Sequence, residues 1–359
     1  MEKQIRLPVT KKYTQDWHKY NLAKCNEKRI FYELLGDLSK IIPEPKYQFG
    51  RPSIPIKDLF FSAGLKLYSN YSGRKISSDV VQANGAGYIS KAPHFNTLKD
   101  FFNCPATYDL LQKMLAISAI PLGKLEDKYS MDSSGFGGYS SESWQRVKWG
   151  GKLRQDGRPY KMNFKNYMKG HILIGTKTNI ICSCEITPGN FADIKQAPAL
   201  LIKANANFKM KEVSGDKAYG SKMVFRIIKS LEAIPYIPFQ TRIKETKADA
   251  PEIWNEMFLL FRDKKDEWGD HYHKRSNVET VFWMVKKNLG EYLLSRNYVA
   301  QRNELMMKFI CHNICCLIQE MFERGIKVDF NKCSKIYVEP KVPEEYKTRD
   351  GSKVKNEDY

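Results

Sequence analysis

YHKRSNVETVFWMVKK, residues 272–287, is the stretch from which the rest of the chain is read. Wound as an α-helix, it puts Arg275, Glu279, Phe282 and Lys286 at relative positions 0, 4, 7 and 11, on one face. Val278, Val281 and Val285 form an apolar strip beside that face. Arg275 is spaced to pair with Glu279 and hold its carboxylate in one rotamer. Lys286 lies ~10 Å further along the axis, a distance that suits a neighbouring phosphate rather than a shared metal ion. The same spacing also describes a surface helix with one i,i+4 salt bridge and no chemistry. Trp283, one turn past Glu279, is expected in the core, with a wedge against a base as the alternative.

Two aspartates upstream share a different signature. Asp132 in YSMDSSG and Asp216 in VSGDKAYG each follow a short run of apolar or small residues and precede a turn-forming group. Residues 128–132 read as a short strand that delivers Asp132 to a Ser-Ser-Gly turn. One such aspartate alone is most often a cap or turn former; the combination with a helical glutamate is more informative. Three carboxylates so placed can hold two divalent ions ~4 Å apart, one activating an attacking hydroxyl and one stabilising a leaving 3′ oxygen. Magnesium suits an all-carboxylate, water-rich site, with manganese as its substitute.

Around these residues the pattern is that of an α/β domain. HILIGTKTNIICSCEITP reads as two strands, 171–175 and 180–186, joined by a turn at Thr178-Asn179. A helix is expected over 193–206, with Pro198 as an alternative first turn. Further helices are expected over 221–230, 275–288 and 300–324, and an interrupted or edge strand over 234–239 because of Pro235 and Pro238. Residues 240–270 read as charged and less regular. Upstream, short helices are expected over 30–38, 55–67, 76–83 and 97–118, the last broken or restarted at Pro105. These resemble a helix-turn-helix arrangement in outline, or an ordinary bundle packed on the next domain.

The chain of 359 residues carries a formal charge of +19, which favours polyanionic partners. No run approaches 18 continuous apolar residues and the N-terminus lacks a secretory signal pattern, so nucleic acid is preferred over a membrane as partner. The expected location is cytoplasmic, with the nucleoid. Residues 135–165 interleave Arg146, Lys148, Lys152, Arg154, Arg158, Lys161 and Lys165 with Trp144, Trp149, Tyr160 and Phe164. That mixture suits a DNA backbone close to Asp132, though a solvated hairpin would also carry the lysines. The eight cysteines form no CxxC pair and read as reduced thiols. His171 reads as structural or as a supporting donor, and His271 and His273 as groups near phosphate. Asn190 and Asp193 read as turn and cap residues.

Tyr272, Arg275, Glu279 and Lys286 match, spacing for spacing, the Tyr-x2-Arg-x3-Glu-x6-Lys signature of the DDE transposases of bacterial insertion sequences, which this chain resembles. The first aspartate of that family falls on Asp132 and the second on Asp216. Its Thr-Pro-Gly-Asn segment with a following Asp appears as Thr187, Pro188, Gly189, Asn190 and Asp193. Lys169 and His171, the GRP at 50–52, Asn303-Glu304 and Asn313 extend the likeness over residues 46–320. The resemblance implies a ribonuclease-H-like mixed sheet flanked by helices over residues 121–325, with a compact insert near 241–270. A helical region (1–120) precedes it and a polar tail (326–359) follows. It also implies recognition of terminal inverted repeats, exposure of 3′-hydroxyl ends and their joining to target DNA by a homodimer. Lys286 and Tyr272 then meet DNA near the scissile phosphate, and Arg275 orients Glu279. A metal-dependent endonuclease without strand transfer and a non-catalytic, transposase-derived DNA-binding protein are the alternatives.

Overall fold

The computed structural model describes residues 16–45, 53–138, 167–240, 243 and 245–347. Its centre is a mixed sheet of β1 (Lys128–Gly138), β2 (Tyr167–Gly175), β3 (Ile181–Pro188), β4 (Glu212–Gly215), β5 (Ile234–Tyr236) and the short β6 (Tyr292–Leu293). The order is β3-β2-β1-β4-β5, with β6 also beside β1. β1, β2 and β3 are antiparallel neighbours, whereas β4 and β5 run parallel to β1. Helices flank this sheet, and the architecture is ribonuclease-H-like.

β1 is longer than its sequence suggests. Ser133 to Gly138 do not turn away after Asp132; they continue the ladder against β2, from Tyr129 opposite Gly175 to Gly137 opposite Tyr167. The Ser-Ser-Gly group looked like a turn because small polar residues favour turns, but here β2 supplies its backbone partners. On its other edge, β1 pairs with β4 only from Lys128 to Met131 and with β6 only at Gly137 and Gly138. Among the described residues, positions 132–136 have no strand beside them on that edge, and the sheet opens there.

Helix α1 (Trp17–Lys40) begins at Asp16, whose carboxylate accepts from the Lys19 amide. It extends well beyond the nine residues expected. α2 (Ile56–Tyr68), α3 (Ser77–Gly85), α4 (Phe95–Asn103) and α5 (Thr107–Ala119) follow, with the break between the last two at Cys104-Pro105 as expected. After β3, a 3-10 turn (Asp193–Lys195) leads into α6 (Ala197–Asn205), and Pro198 stands in its first turn. α7 (Lys222–Ser230) follows β4. The stretch 240–270, read as less regular, contains most of two helices, α8 (Glu252–Asp263) and α9 (Lys265–Tyr272). Their apolar positions Ile253, Trp254, Met257 and Phe258 bury one face, and Phe239 meets the rings of Trp254, Phe258 and Phe261. The dense surface charge of that stretch obscured its helical period.

α10 (Ser276–Leu289) carries the decisive segment, and α11 (Tyr298–Arg324) is the central pillar. Asn297 caps α11 by accepting from the Ala300 amide, and Gly325, at φ +66°, ends it in the left-handed region. α11 is long and apolar enough to cross a membrane, yet here α1, α2, α4, α5 and β3 pack around it. α12 (Phe330–Ile336) packs against α5, and a 3-10 turn (Glu344–Tyr346) follows it.

Within α11, His312 is buried, with Nε2 3.0 Å from the Asn179 carbonyl and 3.3 Å from Cys316 Sγ. Burial lowers its pKa from the usual 6.5 to about 4. The unfolded chain therefore takes up a proton that the folded chain refuses, and stability contributed above pH 6.5 is lost as pH falls towards 4. Wild-type protein is expected to lose about 2–3 kcal/mol more than His312→Gln between pH 7 and 4.5. Denaturant titrations at the two pH values measure this, and equal losses would exclude His312 as the source.

Candidate active site

Asp132 and Asp216 are brought together by strand register. Met131 of β1 pairs in parallel with Gly215 of β4, so the next residue on each strand is an aspartate, on chains ~5 Å apart. β4 ends there while β1 continues, which leaves both carboxylates at the opening in the sheet. A ligand site at the carboxyl ends of parallel strands, where the strand direction on either side differs, is the general expectation for open α/β sheets. Asp132 Oδ1 accepts from the Ser133 amide at 2.8 Å. Asp216 Oδ1 accepts from the Lys217 amide at 2.6 Å and caps the 3-10 turn Lys217–Tyr219. Gly215 allows this close approach: a Cβ there would lie 3.1 Å from Met131 Cε and 3.4 Å from Tyr219.

α10 lies along β1 and adds the third carboxylate. The Arg275 carbonyl accepts from Ser130 Oγ at 3.5 Å, and Lys286 at the far end donates to Ser134 Oγ at 2.8 Å. Ser130, Asp132, Ser134 and Phe136 alternate onto one face of β1. Arg275 sits between the acids. Its Nη1 and Nη2 donate to Glu279 Oε1 at 2.7 and 2.6 Å, Nη1 is 3.8 Å from Asp132 Oδ2, and Nε donates to Tyr272 Oη at 3.2 Å. The Arg275 side chain is 16% exposed and that of Glu279 61%, so the clamp is rooted in the protein and the carboxylate faces solvent. Lys286 Nζ also stands 5.1 Å over the Phe136 ring.

The electrostatics of this cluster favour a cation. Burial pushes the Asp132 carboxyl above the usual range; the Ser133 amide and Arg275 oppose that, and the charges of Asp216 and Glu279 add to it. Burial likewise raises Tyr272, which feels Arg275 and all three carboxylates. The donor set is oxygen only, and Asp132 and Asp216 fit a hard divalent cation. Glu279 is held by Arg275 instead, and among the described residues no group of three acidic, histidine or cysteine side chains is close enough to ligate one ion.

Residues 124–314, just over half of the chain, match a family model described as the transposase DDE domain. The chain belongs to this family. The match runs from before β1 into α11 and includes Asp132, Asp216, Tyr272, Arg275, Glu279 and Lys286. No curated protein and no solved structure matches the chain closely enough to count as a relative.

Several side chains of this transposase domain stand elsewhere than the sequence suggests. Trp283 is 58% exposed, not core, with Lys287 Nζ 4.4 Å over its ring; α10 turns its valines inward and leaves this position to solvent. His271 is engaged within the fold: Nδ1 lies 2.9 Å from Glu212 Oε2 and the ring stacks on Tyr236. Asp193 does not cap the turn it begins, which starts after Ala192 without a side-chain cap. Instead it meets Lys169 Nζ at 2.7 Å and lies 3.4 Å from His171 Nδ1. His171 is buried, its Nε2 2.8 Å from Thr187 Oγ1, and burial lowers its pKa to about 4. Since His171 pairs with Ser133, this polar group backs β1 beside Asp132. Ser134, the acceptor for Lys286, was not singled out from the sequence; its i+2 spacing from Asp132 was the available signal. Arg146, Lys148, Lys152, Arg154, Arg158, Lys161 and Lys165, with the aromatics among them, lie outside the described residues, as do Gly50, Arg51 and Pro52.

Proposed function

We propose that the chain is a DNA transposase that cuts at the terminal inverted repeats of an insertion sequence and joins the exposed 3′-hydroxyl ends to target DNA. One observation carries this reading: two aspartates that each follow the last paired residues of two parallel strands, with an arginine-held glutamate beside them, inside a transposase DDE domain. Asp132 and Asp216 would hold a divalent cation, magnesium or manganese, and Glu279 would join them by exchanging Arg275 for it. When bound, the cation stabilises charge on the phosphate and on the attacking and leaving oxygens. In the first reaction a water oxygen forms a bond to phosphorus and the 3′ oxygen leaves with a proton; in the second that 3′ oxygen bonds to a target phosphorus as the bond from this phosphorus to the target's own 3′ oxygen breaks. Arg275 positions Glu279, while Tyr272 and Lys286 face the DNA near the scissile phosphate. Arg146, Lys148, Arg154, Arg158 and Lys161 track the backbone of double-stranded DNA. Two copies of the chain synapse two ends, at the nucleoid.

The test is a plasmid carrying the gene's native flanking DNA beside a marker, incubated with the protein and magnesium. Excised and newly joined DNA are the expected products, and chelation of the metal should abolish both. Cleavage without joining would point to an endonuclease; binding to the flanks without either product would point to a non-catalytic descendant. Lys286→Met keeps the stem over Phe136 and removes the charge. It is expected to slow cleavage about 10- to 100-fold with an unchanged melting temperature. An unchanged rate would remove Lys286 from the DNA-facing set.

A further inference from the structure

A second candidate site lies away from the carboxylates, between the helical region and the segment after β6. It is a cleft of about 550 Å³ whose lining includes Lys66, Arg74, Phe95, Lys99, Leu294 and Arg296. Four cations border it and no carboxylate does. Arg74, Lys99 and Arg296 are exposed and have no ion pair or side-chain hydrogen bond among the described residues. Lys66 is only 9% exposed, yet its ammonium also has neither; it stands 5.5 Å over the Phe102 ring. The buried Glu304, whose charge Lys66 feels, accepts from the amides of Leu294 and Ser295. A buried ammonium and three exposed cations, none of them in an ion pair among the described residues, make this cleft electropositive and suited to an anion.

The walls say which anion. Phe95, half-buried with Arg74 5.1 Å over its ring, and the exposed Leu294 give the cleft an apolar side. Inorganic phosphate or duplex backbone would leave that side unused, whereas a nucleotide offers both a phosphate and a flat, stackable base. Strand β1 also connects the carboxylates with the neighbourhood of the cleft. Leu294 follows β6, which lies beside Gly137 of β1, five residues beyond Asp132 and so on the order of 17 Å along the strand. That is about five nucleotides of one DNA strand.

We propose that this cleft seats one unpaired nucleotide of the bound DNA, its base against Phe95 and Leu294 and its phosphate among Arg74, Lys99 and Arg296. The inference rests on the reading of the chain as a DNA-processing enzyme. Unpaired nucleotides arise wherever a strand is opened beside a cut, and a seat here would hold such a strand while the carboxylates work on the neighbouring phosphodiester.

The test compares two DNAs drawn from the gene's flanks: a flush duplex, and the same duplex with three unpaired terminal nucleotides, one of them 2-aminopurine. Binding is read by anisotropy and stacking by quenching, with full-length Asp216→Asn protein so that neither DNA is cut. The overhang is expected to bind about tenfold more tightly, the scale of one base–aromatic stack. Phe95→Ala and, independently, Arg296→Gln should each lose most of that preference while holding the flush duplex within about threefold. Arg296 is exposed on a connecting segment, so its variant tests the site without disturbing the core. Equal affinity of the parent protein for both DNAs, or a preference that both variants retain, would overturn the nucleotide seat and leave the transposase reading standing. Failure to bind either DNA would overturn both.

Discussion

Asp216→Asn is expected to lower strand cleavage by at least ~10³-fold and to leave folding and DNA affinity intact. The substitution keeps the shape of the side chain, and an amide oxygen can still accept from the Lys217 amide and cap the turn over Lys217–Tyr219. What is lost is half of the paired negative charge at the opening in the sheet. Asp132→Asn should abolish cleavage equally. It should also raise the melting temperature slightly, because burial and two neighbouring carboxylates disfavour the charged form of Asp132. Single-turnover cleavage of the flanking DNA, beside thermal melts of both variants, measures this. Cleavage retained by either variant would remove that aspartate from the proposed site.

The second large effect is on stability. Asn313, fully buried in α11, accepts from the Ile181 amide at 2.9 Å through its side-chain oxygen. Its amide donates to the Ile181 carbonyl at 2.9 Å and to Ser118 Oγ at 2.9 Å. It thus satisfies both backbone groups of a strand residue and ties β3 to α5. Asn313→Leu fills the same space and leaves those partners orphaned, at ~1–3 kcal/mol for each buried group. The expected loss is about 3–5 kcal/mol, or ~10 °C in melting temperature. Denaturant titration decides it: a loss below about 1 kcal/mol would mean that water or a shifted β3 takes over the bonds.

The readable parts of this chain were those governed by local rules. The 0, 4, 7, 11 spacing from Arg275 to Lys286 survives into the fold as the Glu279 clamp and the Lys286–Ser134 bond, because helical periodicity is a property of the segment itself. The neighbouring positions of Asp132 and Asp216 could be guessed from two similar contexts, but their cause, the Met131–Gly215 register, joins residues 84 positions apart and has no local signature. Trp283 was misjudged because composition favours burial of tryptophan, whereas orientation depends on which face of α10 meets β1. The continuation of β1 through Ser-Ser-Gly depends on β2, a partner separated by residues 139–166. The helices over 252–272 were hidden in the same way, their apolar stripe meaningful only against Phe239. Pairings between distant segments, not propensities, made up the unreadable part.

The ladder between β1 and β2 has one more consequence. A shift of one position would reverse the side to which every β1 side chain projects, turning Asp132 towards His171 and away from α10. Because the ladder is hydrogen-bonded from Tyr129 to Gly137, such a slip would have to break the whole run together. The place of Asp132 is therefore set by the ladder and not by the number of residues that connect the two strands. The length and sequence of that connection can therefore vary between related chains while Asp132 keeps its place opposite Ile172.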